Sequence, residues 1–213
     1  MTGLRPGFPV RASKDLHVGR VLAMRADEVE MPGGRVAARE VTEHFGAVAI
    51  AALDVDDRLM MIYQYRHPVG RRLWELPAGL LDAPGEDPLA SAQRELTEEA
   101  GLTATEWSVL VDLAPSPGFS DESVRVYLAR GVTEVGRSDT DADDEEADLQ
   151  TRWVSLPVAV RMVLDGKIVN GVTAAAVLAV HAQAGRPGRP VDAPWPDRPT
   201  RFAERRATAT ATD

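Results

Sequence analysis

The chain has 213 residues, enough for one full domain or one domain with a small appendage. It contains no cysteine, which excludes a disulfide framework, thiol chemistry and cysteine-ligated metal. A formal charge of −9 argues against a nucleic-acid backbone as the main partner, and no apolar run approaches the roughly 20 residues of a membrane span.

Residues 1–17 lack periodicity and read as a loosely held arm; Gly3, Arg5, Pro6 and Gly7 interrupt any secretory leader, so a soluble, cytoplasmic protein is expected. Val21 to Met24 and Val36 to Val41 flank the turn Pro32-Gly33-Gly34 and predict a hairpin. Such a small sheet buries little alone and needs the main domain or a second subunit to pack on. Gly46 to Leu53 is a continuous apolar run that fits a strand covered on both faces. After a turn at Asp54 to Arg58, Leu59 to Tyr65 is its partner, and Trp107 to Leu113 is a further strand. Ser123 to Ala129 alternates like a half-buried strand, and Arg152 to Leu156 is a short one. Val158 to Leu164 and Thr173 to Ala182 read as helices separated by Asp165-Gly166-Lys167. From Ala184 the chain turns rich in proline and arginine, and its last ten residues read as disordered.

The most informative stretch is Leu73 to Leu102. Asp87 can cap the amides of a helix, Pro88 suits its first position and Gly101 its left-handed stop. Glu95, Glu98 and Glu99 lie three and four residues apart, on one helical face. Like charges at that spacing cost an isolated helix roughly 0.2–0.5 kcal/mol per pair. A hard divalent cation in front of them removes that penalty, and Mg²⁺ is the natural candidate because it binds a few carboxylates together with substrate phosphates.

The run Arg94-Glu95-Leu96-Thr97-Glu98-Glu99-Ala100-Gly101-Leu102 resembles the second half of the Nudix box, G-x5-E-x7-R-E-U-x-E-E-x-G-U with U apolar, and Glu86 lies at the expected gap before Arg94. Six residues instead of five separate Gly79 from Glu86; the extra one falls in the turn-forming Ala83-Pro84-Gly85, which should lengthen the loop without changing the helix register. Three flanking pieces resemble the ADP-ribose pyrophosphatases of that family: Arg39 to His44, Tyr63 to Arg66 leading to Trp74 to Gly79, and Ser116 to Glu122. The likeness spans about residues 18–183. It implies an α/β fold, a Nudix-type α/β/α sandwich with a mixed sheet plus a small N-terminal antiparallel sheet. The implied division is residues 1–45 for the arm and dimerisation sheet, 46–183 for the hydrolase domain and 184–213 for the tail.

The resemblance further implies metal-dependent hydrolysis of ADP-ribose to AMP and ribose 5-phosphate. Metal ligands would be Glu95, Glu98, Glu99 and the carbonyl of Ala78, with Mg²⁺ bound, or Mn²⁺ in its place. Divalent ions acidify the attacking water and offset charge on phosphorus oxygens. Arg66, Arg39, Glu122 and Gly118 match substrate-binding positions, Arg39 and Glu122 by reaching across a homodimer interface. The acidic run Asp139 to Asp148 matches a family loop that supplies the carboxylate acting on water. This singles out Glu146, with Glu145 next and Glu98 within the box. Runs of this kind are otherwise solvated.

The remaining candidates are plainer. His17, His44, His67 and His181 lack ligand spacing, Ser116 and Ser120 lack a nucleophile elbow, and Trp74 reads as core. The competing expectations are a Nudix hydrolase of another nucleoside diphosphate sugar or nucleotide, and a Nudix-fold binding module without turnover. A calcium-binding structural role lacks the spaced D-x-D-x-D-G loop.

Overall fold

A computed structural model describes residues 7–137, 148–183 and 185–210. The chain divides into two compact units. The first comprises the described parts of Met1–Gly46, Ser116–Glu122 and Arg198–Asp213; the second, those of Ala47–Pro115 and Ser123–Asp197.

The first unit is an antiparallel sheet of β1 (Val10–Val18), β2 (Leu22–Glu30) and β3 (Val36–His44), in that order. The expected turn joins β2 to β3: Gly33 and Gly34 take φ of 95° and 83°, where a side chain is disfavoured. The residues expected to form a loose arm instead contain β1. Every position of β1 is exposed, so its backbone pairing with β2 holds it, and burial left no periodic signal to read. The C-terminal end also departs from expectation. Residues Arg201–Thr210 form helix α4, with Phe202 fully buried edge-on against Phe45 at 4.5 Å. A single aromatic among arginine, alanine and threonine is too weak a stripe to reveal that helix.

The second unit is built around β4 (Ala47–Ala52), which lies parallel to β9 (Val124–Glu134) and antiparallel to β7 (Ala78–Leu80). With β8 (Leu102–Leu113) outside β9 they form a mixed sheet of order β7-β4-β9-β8. A second sheet has β10 (Gln150–Ser155), β5 (Arg58–Arg66) and β6 (Arg71–Glu75) in that order. Alternation along β4 divides the interior. Val48, Ile50 and Ala52 face a core shared with helix α1 (Pro88–Ala100). Ala49, Ala51 and Leu53 face the core of α2 (Leu156–Leu164) and α3 (Gly171–Gln183). This is the α/β/α sandwich the sequence led us to expect.

Strand β9 is not half-buried as its alternation implied: residues 124–129 are all buried. Arg125 is accommodated because Asp112 takes two of its hydrogen bonds and the carbonyls of Ala193 and Pro194 accept the others. Its guanidinium also stacks 4.7 Å from the Trp195 ring centroid. The proline-rich stretch is therefore a strap on the second unit. Arg189 exchanges backbone hydrogen bonds with Val109, and Trp195 donates to Ser123 Oγ. Gly188 allows the close approach, since a Cβ there would lie 2.3 Å from Ser108 Oγ.

Candidate active site

Helix α1 is positioned by the caps its sequence announces. The Asp87 carboxylate accepts from the amides of Leu89 and Ala90, and Gly101 closes the other end at φ 65°. Just before it, Glu86 N–H donates to Ala83 O and Gly85 takes φ 77°, so the extra loop residue is absorbed in a turn. The helix register is intact, because Arg94 reaches back to both oxygens of Glu86 at 3.2 Å.

Arg94 is the hub of this face. Its guanidinium also lies 2.8 Å from Glu95 Oε1 and 2.7 Å from Glu98 Oε2. Hydrogen bonding to Glu86 raises the Arg94 pKa despite partial burial, and the same bond holds the Glu86 carboxyl below its usual range. Glu99 is buried, 8% exposed, and accepts from Ala78 N–H at 2.9 Å, which docks the helix on β7. Gly79 fits beside it for want of a side chain: a Cβ there would sit 2.1 Å from the Glu95 carboxyl carbon. Glu95 and Glu99 thus both meet β7 at Ala78 and Gly79, and Glu98 is linked to Glu95 through Arg94.

At the end of β5, Arg66 donates to Glu75, whose carboxylate is 3% exposed and also accepts from Gln64. Glu75 falls within the Trp74 to Gly79 piece of the resemblance but is given no role there; it stands two residues before Pro77 on a strand paired with β5. Trp74, expected as core, is only partly buried; it packs against the α2/α3 core and lies against Tyr63 with ring centroids 4.7 Å apart. Glu145 and Glu146 lie outside the described residues. Of the same acidic run Asp148 is described, and its carboxylate pairs with Arg72.

The other expected substrate residues belong to the first unit. Arg39 is exposed on β3 and donates to the carbonyl of Ala38. Gly118 and Glu122 sit on the 116–122 loop, where Glu122 N–H donates to Ser120 Oγ. Among the described residues, its chain neighbours apart, no atom stands within 4 Å of a Cβ built on Gly118. Burial raises the pKa of the neighbouring Asp121, and the charge of Glu43 adds to the effect.

Comparison with known proteins decides the family. Residues 43–171 match the NUDIX domain. The chain belongs to the Nudix family. It is 57% identical over 203 residues to "ADP-ribose pyrophosphatase" of Mycobacterium tuberculosis (strain ATCC 25618 / H37Rv), covering 94% of this chain and 97% of that protein. It is 34% identical to "Methanol dehydrogenase activator" of Bacillus methanolicus, over 80% of this chain and 91% of the relative. A crystal structure of an ADP compounds hydrolase superposes with a TM-score of 0.70 at 21% identity, covering 87% of this chain and all of the other, a likeness of fold.

The Nudix helix can be tested against the divalent ion expected of it. Among the described residues no group of three carboxylates or imidazoles stands ready-made around a metal, and Arg94 lies among Glu86, Glu95 and Glu98. The donor chemistry nevertheless fits a hard cation: carboxylates and a backbone carbonyl, with no nitrogen or sulfur ligand. The glycine gap at Gly79, which lets the Glu95 carboxylate reach β7, fits it as well.

Proposed function

We propose that this Nudix protein hydrolyses the diphosphate bond of ADP-ribose, releasing AMP and ribose 5-phosphate. The observation that carries this reading is the 57% identity, along nearly the whole chain, with a protein named ADP-ribose pyrophosphatase. Glu95, Glu98, Glu99 and the Ala78 carbonyl would hold Mg²⁺, or Mn²⁺ in its place. A bound divalent ion supplies positive charge to the phosphorus oxygens and acidity to the attacking water.

The remaining work falls to the chain's own residues. Arg94 orients Glu95 and Glu98 by bonding one oxygen of each. Arg66, aimed by Glu75, offers its guanidinium to the diphosphate. Glu146, or Glu145 beside it, takes the proton of the attacking water as one phosphoanhydride P–O bond breaks, and the leaving phosphate carries that electron pair away. Arg39 and Glu122 reach the substrate across the interface of an isologous homodimer, and Gly118 contacts it from the same loop as Glu122. No described helix is long and apolar enough to cross a membrane.

The test is product analysis with Mg²⁺ on ADP-ribose, ADP-glucose and ATP in parallel. We expect AMP and ribose 5-phosphate from ADP-ribose at the highest kcat/KM. Faster turnover of ADP-glucose or ATP moves the assignment to another nucleoside diphosphate sugar or to nucleotides. Binding without turnover of any of the three makes the protein a Nudix-fold binding module.

A further inference from the structure

Glu43 is the most thoroughly buried carboxylate of the first unit, 0% exposed near the end of β3. Three arginines meet it. Arg25 Nη1 lies 2.5 Å and Arg201 Nε 2.8 Å from one oxygen, and Arg205 Nε lies 2.5 Å from the other. Arg205 also makes two 2.7 Å hydrogen bonds to Asp15 on β1, and Arg25 pairs with buried Asp27. Three carboxylates thus offset three guanidinium groups, and two of those groups come from α4 alone. Hydrogen bonds to Asp15 and Glu43 raise the Arg205 pKa.

The residues on either side of Glu43 hold the 116–122 loop. Thr42 N–H donates to Phe119 O at 2.7 Å, and Asp121 N–H donates back to Thr42 O at 3.1 Å. His44 N–H donates to the Asp121 carboxylate at 2.8 Å. Among the described residues the loop's other backbone bonds are internal, Phe119 and Ser120 N–H to Ser116 O, and Phe119 itself is exposed. The path of this loop is therefore set by the end of β3. That end carries a buried charge, and two of its three partners come from α4; without them only Arg25, which is shared with Asp27, remains to offset it.

We propose that α4 is a positioning element for substrate: Arg201 and Arg205, acting through Glu43, hold the 116–122 loop in its binding conformation. This rests on the reading above that Gly118 and Glu122 contact the nucleoside diphosphate sugar. Neither arginine touches substrate. Their loss loosens binding and leaves the chemical step on α1 alone.

The experiment uses the full chain carrying Arg201→Met and Arg205→Met together, with hydrogen exchange and steady-state kinetics on ADP-ribose. We expect faster exchange at the amides of Thr42 and Asp121, with unchanged protection in β4. KM should rise about tenfold while kcat stays within about twofold, the pattern of lost binding and not of lost transition-state contact. Arg205→Lys, which keeps a cation, should recover most of the loss. If the double variant fails to fold, Glu43→Gln, which keeps size and removes the charge, should give the same pattern more weakly. Unchanged exchange at Thr42 and Asp121 would overturn the proposal, as would faster exchange with KM unaltered or a fall in kcat alone. A parent protein that does not turn over ADP-ribose sinks the proposed function instead, and the exchange data, which need no substrate, tell the two failures apart.

Discussion

Arg66 and Glu75 show how a binding residue can be tied to stability. Glu75 is nearly sealed from water and its carboxylate relies on Arg66 and Gln64. Arg66→Ala should therefore cost about 1–3 kcal/mol of unfolding free energy, because a buried acceptor loses its partner. It should also raise KM. Adding Glu75→Gln should return most of the stability in urea melts but none of the affinity, which separates the two roles. Glu99→Gln removes a charge while keeping the shape that meets Ala78 N–H. We expect a folded protein whose kcat falls by about 100-fold or more, beyond the roughly 10–100-fold typical of groups that merely support metal ligands. Activity within a few-fold of the parent would remove Glu99 from the metal site. For the base, Glu146→Gln should lower kcat by about 10²–10⁴-fold with KM little changed, and Glu145→Gln should do far less. The reverse order would move the base by one residue.

At the scale of elements, local chemistry was legible and distant pairing was not. Asp87, Pro88 and Gly101 specify α1 within their own fifteen residues, and the spacing of Glu95, Glu98 and Glu99 follows from helix geometry alone. The run from Gly46 to Leu53 announced a strand covered on both faces, and β4 is one. Strand β1 was hidden because all its positions are exposed and backbone pairing holds it, and helix α4 because its partners lie far along the chain, Phe45 for Phe202 and Asp15 for Arg205. The half-buried reading of residues 123–129 failed for the same reason: Asp112 and the strap carbonyls that enclose Arg125 lie elsewhere in the chain. The α1–β7 contact also carries a prediction. Gly79→Ala places a methyl on the Glu95 side chain, and the far end of that side chain must move. We expect kcat/KM to drop about tenfold or more, since small displacements of reacting groups are costly, with little change in melting temperature. Unaltered kinetics would mean that the position of Glu95 is immaterial.

For the whole molecule, pH and assembly give the clearest readouts. Burial pushes the Asp112 carboxyl up, but hydrogen bonds from Arg125 and Arg189 outweigh it and hold the pKa below the usual 3.8. A carboxyl lowered in the folded state stabilises above its unfolded pKa, and that contribution fades as pH falls through the folded value. Unfolding free energy should therefore decline through the acid range below about pH 4, and Asp112→Asn should flatten that limb. At neutral pH the same variant strands a buried guanidinium and should be less stable by about 3–5 kcal/mol. Urea melts between neutral pH and about pH 2 check both statements. The proposed homodimer is tested by light scattering at micromolar concentration, where a fully active monomer would exclude it.

The clasp between Glu43 and Arg205 joins residues 162 positions apart, and Phe45 meets Phe202 across a similar span. A ribosome makes β1, β2 and β3 well before their aromatic and cationic partners on α4. While the second unit can begin to condense on the growing chain, the first must wait for α4 before its small core exists. Closing so long a loop is slow. During synthesis the early strands present unshielded edges and an apolar Phe45 without its partner, so expression of a chain stopped before α4 should yield more aggregate than expression of the whole, as measured by the soluble fraction of each.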